Sequence, residues 1–356
     1  MSTSVTRLAG HIFGANSLGG IDGLGGMKST GGWRGTGGAG EILMAYYDQP
    51  NSFIPSWRTF GRASQATRFG PTGYPPETIA TDLPRFDYAP TTPFAARGLL
   101  LEGPRTNLFL NSAALSTQVV TTTAAAHTLS FYGTGTVALS GTYTGSLAGT
   151  GASNRVTLTF TPTAGALTCT VTGTVEYAQM ELGSFASSWI PTGAGSVARA
   201  IDTFTGLVAN EHGVSQGSKA IRIRTSAQNS PPFSEIVFSI DIGSTDNRFL
   251  LKRIVGDLRM QLIVAGLNSF EVTIATGVTA DTIYDIAVRW GTNAIQAQVA
   301  GQAASAVQAF TMPAALTTVR YNGTPTAGNP SFIHLQRELS AKTPLPLSEL
   351  LTRISA

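Results

Sequence analysis

Between residues 113 and 198 the chain alternates apolar side chains with threonine: "HTLSFYGTGTVALSGTYTGSLAGTG", then "RVTLTFTPTAGALTCTVTG". A period of two sends successive side chains to opposite faces, which suits a half-buried strand and not an amphipathic helix. Threonine fills 19 of these 86 positions, and Arg155, Glu176 and Glu181 are the only charges. Threonine is β-branched, so it favours the strand and leaves its outer face neutral. Glycine pairs punctuate the run, and together these signals predict short antiparallel strands of a β-sandwich. A face with so little charge is unusual, because exposed edges are commonly guarded by charge. Either neighbouring chains cover it or its edges are short.

The rest of the chain divides by composition. Residues 1–52 form a Gly-rich arm, with 13 of the 40 glycines in the first 40 positions. "GTGGAG" invites comparison with a phosphate-cradling loop, but such a loop needs a strand before it, and "STGGW" is none. An extended arm that orders only against a partner is the preferred reading. Residues 53–112 are rich in Pro and Arg; Pro71, Pro75, Pro76, Pro84, Pro90, Pro93 and Pro104 forbid regular helix and predict an irregular connector of short extended pieces. The Thr-rich sandwich occupies 113–206. Residues 207–356 carry a second set of strands, among them "KAIRIRTS", "EIVFSIDIG", "RFLLKRIV", "LRMQLIVAG" and "IYDIAVRWG", spaced as in a jelly roll. "PLPLSELLTRISA" predicts a short terminal helix capped by Ser348. The expected fold class is therefore all-β: an extended arm followed by two β-sandwich or jelly-roll domains.

Composition narrows the function classes. The 356 residues suit two or three domains. Charged residues are 12% of the chain, and the net charge of +3 comes mostly from arginine, since Lys28, Lys219, Lys252 and Lys342 are the only lysines. No window holds the basic stripe of a nucleic-acid binder. Cys169 stands alone, which rules out an intrachain disulfide and a Cys-based zinc site; in "ALTCTVTG" it reads as a small buried hydrophobe. The N-terminus lacks the apolar core of a signal peptide, and no stretch reaches the ~20 apolar residues of a membrane helix. The expectation is a cytosolically made protein with no membrane insertion.

No catalytic, metal or cofactor motif emerges. His11, His127, His212 and His334 lie in separate segments without a second ligand at metal spacing. "DIGSTDN" offers Asp241, Asp246 and Asn247, but lacks the alternating oxygens of a calcium loop, so it reads as a surface turn. Glu176 and Glu181 sit five apart, on opposite faces of a strand. Asp281 and Asp285 share a face and are the best carboxylate pair for polysaccharide cleavage, though the pair equally suits a strand entrance. Aromatic side chains with a few polar groups bind neutral sugars. Trp290 alternates with Ile286 and Val288 and belongs to the core; Trp189, before Pro191, plugs a sandwich end. Arg320, Tyr321 and Asn322 stand beside a turn in "VRYNGTP" and form the candidate carbohydrate-contact loop.

Three segments, "FGRASQATRFGPTG", "LPRFDYAP" and "RGLLLEGPRTNLFLNS", resemble in order and spacing a module of tailed-phage and prophage structural proteins. The strands that follow, through "VEYAQMELGSFASSWIPTGAGSVARAID", are similar to the sandwich of phage head-spike and tail-fibre proteins or of gene-transfer-agent-like particles. More weakly, "IYDIAVRW", "VAGQ" and "IHLQREL" resemble concanavalin-like lectin/glucanase jelly rolls. The specific match spans about residues 58–202, and the first 52 residues match nothing. The resemblance implies a virion spike or fibre, trimeric, made in the bacterial host cytoplasm. It would be attached to other virion proteins through residues 1–52, and its C-terminal sandwich would face host surface polysaccharide. It supplies no catalytic motif, metal or cofactor. A purely architectural decoration or connector and a capsule depolymerase are the competing readings.

Within "LLLEGPRTNLFLNS", Glu102 and Arg105 flank Gly103-Pro104. A fixed pair there would let Leu99–Leu101 and Leu108–Leu110 fold back on each other as a structural junction; solvated charges on a loop are the alternative.

Overall fold

The alternating segments form strands that assemble into two sandwiches. The computed structural model describes residues 32–37, 40–213, 215–226, 234–313, 315–326 and 328–356. Among these the chain is all-β apart from a helical turn, Val208–Glu211, and a C-terminal helix, Leu347–Ser355.

The larger sandwich encloses its core between two sheets. One is seven-stranded, in the order Leu267–Ala275, Asp257–Val264, Arg248–Ile254, Ser234–Asp241, Thr318–Tyr321, Thr203–Leu207 and Arg58–Gly61. The other is nine-stranded, with Ile333–Ala341 and Gly217–Thr225 at its centre. Phe238, Ile240, Phe249, Leu251 and Met260 from the first pack against Ile221, Ile223, Ile286, Val288 and Trp290 from the second. Each such side chain stabilises the fold by about 1.5–3 kcal/mol on burial. Trp290 is a core residue, as its alternation predicts. The helix Leu347–Ser355 lays Leu347, Leu350 and Ile354 on the opposite face of the nine-stranded sheet, over Ala220, Ala287, Leu339 and Ala341. Its N-cap is Pro346, not Ser348, and makes no side-chain capping bond. Seating Leu347 in the apolar contact starts the helix one residue before the serine.

The Thr-rich segment forms the smaller sandwich. A three-stranded sheet, Gly151–Phe160, His127–Gly133 and Val175–Leu182, faces a four-stranded one, Gly145–Ala148, Thr136–Gly141, Gly165–Thr172 and Gln118–Thr122. Leu129, Phe131 and Met180 meet Val120, Val137, Leu139, Leu167 and Cys169 in its core. Burial alone pushes the Cys169 thiol up to about 12. The two ends of this unit lie side by side, where Arg105–Asn107 pairs antiparallel with Val197–Arg199.

Segments expected to stand apart instead complete the larger sandwich. The glycine-dense pattern stops at Gly40, and "EILMAYY" then alternates. Gly40–Tyr46 accordingly pairs along Ile333–Ala341, with Ile42, Leu43, Ala45 and Tyr47 buried. This corrects the loose-arm expectation for residues 40–52; residues 1–31 of that arm lie outside the described residues. The 53–112 connector is also strand-rich: Arg58–Gly61 forms the edge next to Thr203–Leu207, and Ala96–Leu101 pairs with the start of Ile333–Ala341. Gly98 is required at that crossing. Its φ is +113°, and a Cβ there would stand 2.6 Å from the Leu335 carbonyl oxygen.

These pairings fix what the C-terminal third can do alone. A fragment of residues 207–356 lacks both partners of one edge of Ile333–Ala341, and Thr318–Tyr321 loses its neighbour Thr203–Leu207. That fragment is expected to lack a cooperative thermal transition and dispersed NMR amide signals, while residues 40–356 show both; a folded 207–356 fragment would contradict the pairing.

Candidate functional site

The charges of "LLLEGPRTNLFLNS" belong to a buried network that joins the sandwiches. The Glu102 carboxylate accepts from Arg85 Nη1 at 2.7 Å, from the Ser188 hydroxyl at 2.6 Å and from the Ser188 N–H at 2.9 Å, and it lies 2.9 Å from Arg199 Nη1. Asp202 accepts from Arg62 Nη1 at 3.1 Å, from Arg85 Nη2 and from the Glu102 N–H at 2.8 Å. Arg62, Arg85, Arg199 and Asp202 have no exposed side-chain surface, and Glu102 has 5%. Burial would raise the Glu102 carboxyl, but Arg199, Arg85 and the Ser188 hydrogen bonds hold it well below the usual carboxylate range.

Arg105 is not a partner of Glu102. After Pro104 the chain enters Arg105–Asn107, where Arg105 meets Glu181 at 3.3 Å and covers the rings of Phe332 and Phe185 at 4.7 and 5.3 Å. The two apolar arms likewise part. Leu99–Leu101 enters the nine-stranded sheet, and Phe109, between Leu108 and Leu110, enters the smaller core. The expected fold-back is corrected to a crossing from one sandwich to the other.

A second buried cluster lies inside the larger sandwich. The Glu338 carboxylate accepts from the Tyr47 and Tyr321 hydroxyls at 2.6 and 2.8 Å, from Lys219 Nζ at 2.6 Å and from Arg58. Glu211 accepts from Arg58 at 2.7 Å, from Lys219 at 3.1 Å and from the Ser340 hydroxyl at 2.9 Å. Burial and then Glu338 push the Tyr321 phenol well above its ordinary range.

Two of the three predicted sugar-contact residues are therefore structural. Thr318–Tyr321 lies inside the seven-stranded sheet, so Tyr321, two residues after the buried Val319, also points inward. Asn322, at φ +64°, is 2% exposed and donates from Nδ2 to the Glu102 and Asp202 carbonyls at 2.9 and 2.8 Å. Arg320 alternates to the other face and pairs with Asp241 at 3.1 Å.

On that outer face, the strand registers align one continuous row: Thr59, Thr205, Arg320, Ser239, Leu250, Gln261 and Glu271. Leu250 joins Ile236 and Ile263 in a small apolar patch separate from the main core. Around it stand polar groups held in place by one another. Asp241 accepts from Arg320, Ser239 and the Gly243 N–H, while Lys252 Nζ donates to Gln261 at 2.9 Å and Glu271 at 2.8 Å. Arg320, Lys252 and Glu271 keep 15%, 9% and 22% of their side chains exposed. Ser239, Asp241 and Leu250 are themselves buried, so the row offers solvent the partly exposed heads of Arg320, Gln261 and Glu271, held in place from below. "EIVFSID", "RFLLKRI" and "LRMQLIV" carry its signal in their alternate polar positions, but only the register shows that these line up.

The other candidates are engaged elsewhere. Glu181 is fully buried against Ser187 and Gln179, and Glu176 accepts from the Tyr74 hydroxyl at 3.2 Å. Asp281 pairs with Arg224 and Asp285 with Arg222. Trp189 is buried and donates to the Ser112 hydroxyl at 3.2 Å. "DIGSTDN" is the turn between Ser234–Asp241 and Arg248–Ile254, with Asp241 committed to Arg320. Among the described residues no group of three His, Cys, Asp or Glu could hold a metal ion.

No family model matches the chain, and no curated protein does. Solved structures similar to part of it include the CBM40 of Ruminococcus gnavus IT-sialidase bound to alpha2,3 sialyllactose, at 18% identity and TM-score 0.33, over 40% of this chain and 83% of that one. Sheep galectin-11 in complex with glycerol matches at 14% identity and TM-score 0.29, over 38% of this chain and 95% of that one. The receptor binding domain of botulinum neurotoxin type G matches at 11% identity and TM-score 0.33, over 43% of this chain and 39% of that one. At these scores they carry no argument about the ligand.

The buried networks make two measurable claims. Asp202→Ala leaves Arg62 and Arg85 without their shared carboxylate and is expected to cost about 3–5 kcal/mol in urea unfolding; a loss below ~1 kcal/mol would contradict the network's role. The second concerns pH. Burial first, then Lys219 and Arg58, holds the His212 imidazole well below its ordinary range, so it stays neutral in the folded protein. The unfolded chain takes up that proton near pH ~6.5, so stability is full above this pH and declines as pH falls below it. Glu102 and Glu338, both held low, add a steeper loss below about pH 4.5, where their unfolded carboxyls protonate. Melting temperature against pH should show both segments, and His212→Phe should flatten only the upper one.

Proposed function

We propose that this chain is a non-enzymatic structural protein of a tailed-phage or gene-transfer-agent-like particle. In this reading its N-terminal part attaches to the particle, and the outer face of its seven-stranded sheet binds host surface carbohydrate. The observation that carries the binding role is the cross-strand row from Thr59 to Glu271, with Arg320, Asp241, Lys252 and Gln261 held by mutual hydrogen bonds beside the Leu250 patch. Pre-positioned polar groups suit a ligand that carries hydroxyls along one edge.

The virion reading draws support from where its quoted segments go. Arg62 of "FGRAS", Arg85 of "LPRFD", Glu102 of "LLLEGPR" and Arg199 with Asp202 of "SVARAID" converge on one buried network. The segments thus act as a joint that sets one sandwich on another, as a spike built of stacked β-modules requires. Association into a trimer is favoured by the neutral surface of the smaller sandwich, where Val119 is 62% and Leu182 53% exposed. A purely architectural role is the second reading, favoured by the lack of an aromatic ring in the row. Depolymerase chemistry has less support, because Asp281 and Asp285 each face an arginine.

The folded full chain is expected to be retained on arrays of host envelope or capsule glycans and to compete with particle adsorption. Arg320→Gln combined with Gln261→Ala should cut that retention about tenfold, or ~1.4 kcal/mol, measured below the melting temperature of the variant, which loss of the Asp241 partner lowers. Retention on no host glycan would leave the architectural role.

A further inference from the structure

At the Thr59–Thr205 end of the row, the surface dips into a hollow of about 270 Å³. Its polar lining comes from four places: Ser56 before the edge strand, Thr59 on it, Thr205 on the next strand, and Asn210 from the turn Val208–Glu211. Thr318 closes it from the third strand, where its register partner is Leu207. Ser56 and Thr59 are exposed, and Thr205, Asn210 and Thr318 are partly so. Among the described residues, the side chains of Ser56, Thr59, Thr205 and Asn210 make no hydrogen bond to another group, although the rest of the row is closely bonded. None of these lining groups is charged.

Gly206 contributes backbone to the floor of the hollow, and its own Cα faces the core. A Cβ there would stand 2.5 Å from Glu211 Oε1, 2.8 Å from Arg58 Nη1 and 2.9 Å from the Trp57 carbonyl oxygen. The buried charge cluster thus occupies the space a side chain at 206 would need, and backbone forms the floor. Fixed by the core beneath it, the hollow cannot close by repacking from within.

We infer that this hollow is the primary subsite for a single uncharged sugar ring bearing adjacent hydroxyls. Hydroxyl and amide groups both donate and accept, as sugar hydroxyls do, so four unspent groups on converging elements match neighbouring hydroxyls, and no cation stands among them to favour a carboxylate or phosphate. The volume lies below the roughly 300–1,000 Å³ of sites for drug-sized ligands, which suits one ring and not an enclosed chain. The charged part of the row begins beside it, since Thr205 is the register partner of Arg320. Further residues of a longer glycan would run that way.

This inference rests on the carbohydrate reading proposed above, and the test separates the two. Saturation-transfer NMR and calorimetry on the full chain would compare methyl glycosides of neutral hexoses with the corresponding uronic acids. A neutral glycoside is expected to bind and the uronic acid to bind no better. Thr205→Arg, which fills the hollow from the outer face, should weaken neutral-sugar binding at least about tenfold, and Asn210→Ala a few-fold. Thr59→Val serves as the replacement if Thr205→Arg fails to fold. Preference for the acidic sugar, or binding unaffected by both Asn210→Ala and a folded Thr205→Arg or Thr59→Val, overturns the hollow as the subsite. Sugar binding that survives these variants but is lost in Arg320→Gln moves the contact along the row and keeps the carbohydrate reading. Absence of binding by any saccharide overturns both.

Discussion

Arg85 holds Glu102 with one arm of its guanidinium and Asp202 with the other, in a site closed to water. The rest of the architecture hangs on that fork. Withdrawing such charges from water costs several kcal/mol per ion, so the site depends on its carboxylate oxygens and terminal guanidinium nitrogens being answered. Only Arg85 Nε and Arg199 Nε are left without a partner among these groups. The answers come from segments far apart in the chain: Arg62 just after the edge strand Arg58–Gly61, Ser188 and Arg199 from the exit of the smaller sandwich, and the Glu102 N–H itself. A nonpolar contact tolerates sliding, but this one does not. The two sandwiches are held in one relative position by directional bonds.

The turn after Tyr321 connects this joint to the second charge cluster. Tyr321 donates inward to Glu338, while the next residue, Asn322, donates to the backbone carbonyls of Glu102 and Asp202. Neighbouring residues on one chain thus enter two buried networks. A shift of the strand Thr318–Tyr321 would break bonds in both, so the strand that presents Arg320 at the surface is fixed from below at two points.

The sequence was readable wherever the determining signal was local. Alternation marks Leu167 and Cys169 as inward in the smaller sandwich, and Ile286, Val288 and Trp290 as inward in the larger. Pairing between distant strands leaves no such trace. Gly40–Tyr46 and Ala96–Leu101 are as strand-like as their neighbours, and nothing within them points to Ile333–Ala341 as the partner. Glu102 illustrates the same limit: its nearest cation in sequence is Arg105, but Pro104 turns the chain between them and the true partners arrive from elsewhere. The proposed contact face was half legible. Alternation from Val319 sends Tyr321 inward and Arg320 outward, whereas the line from Thr59 to Glu271 exists only once seven strands are in register.

The smaller sandwich begins at Arg105–Asn107 and ends at Val197–Arg199, and these two strands are hydrogen-bonded to each other. Its departure and return therefore share one rung of backbone, and the segment before it adds side contacts, Thr67 to the Trp189 carbonyl and Tyr74 to Glu176. A rung that closes the unit at its base keeps its two ends together whatever the strands between them do.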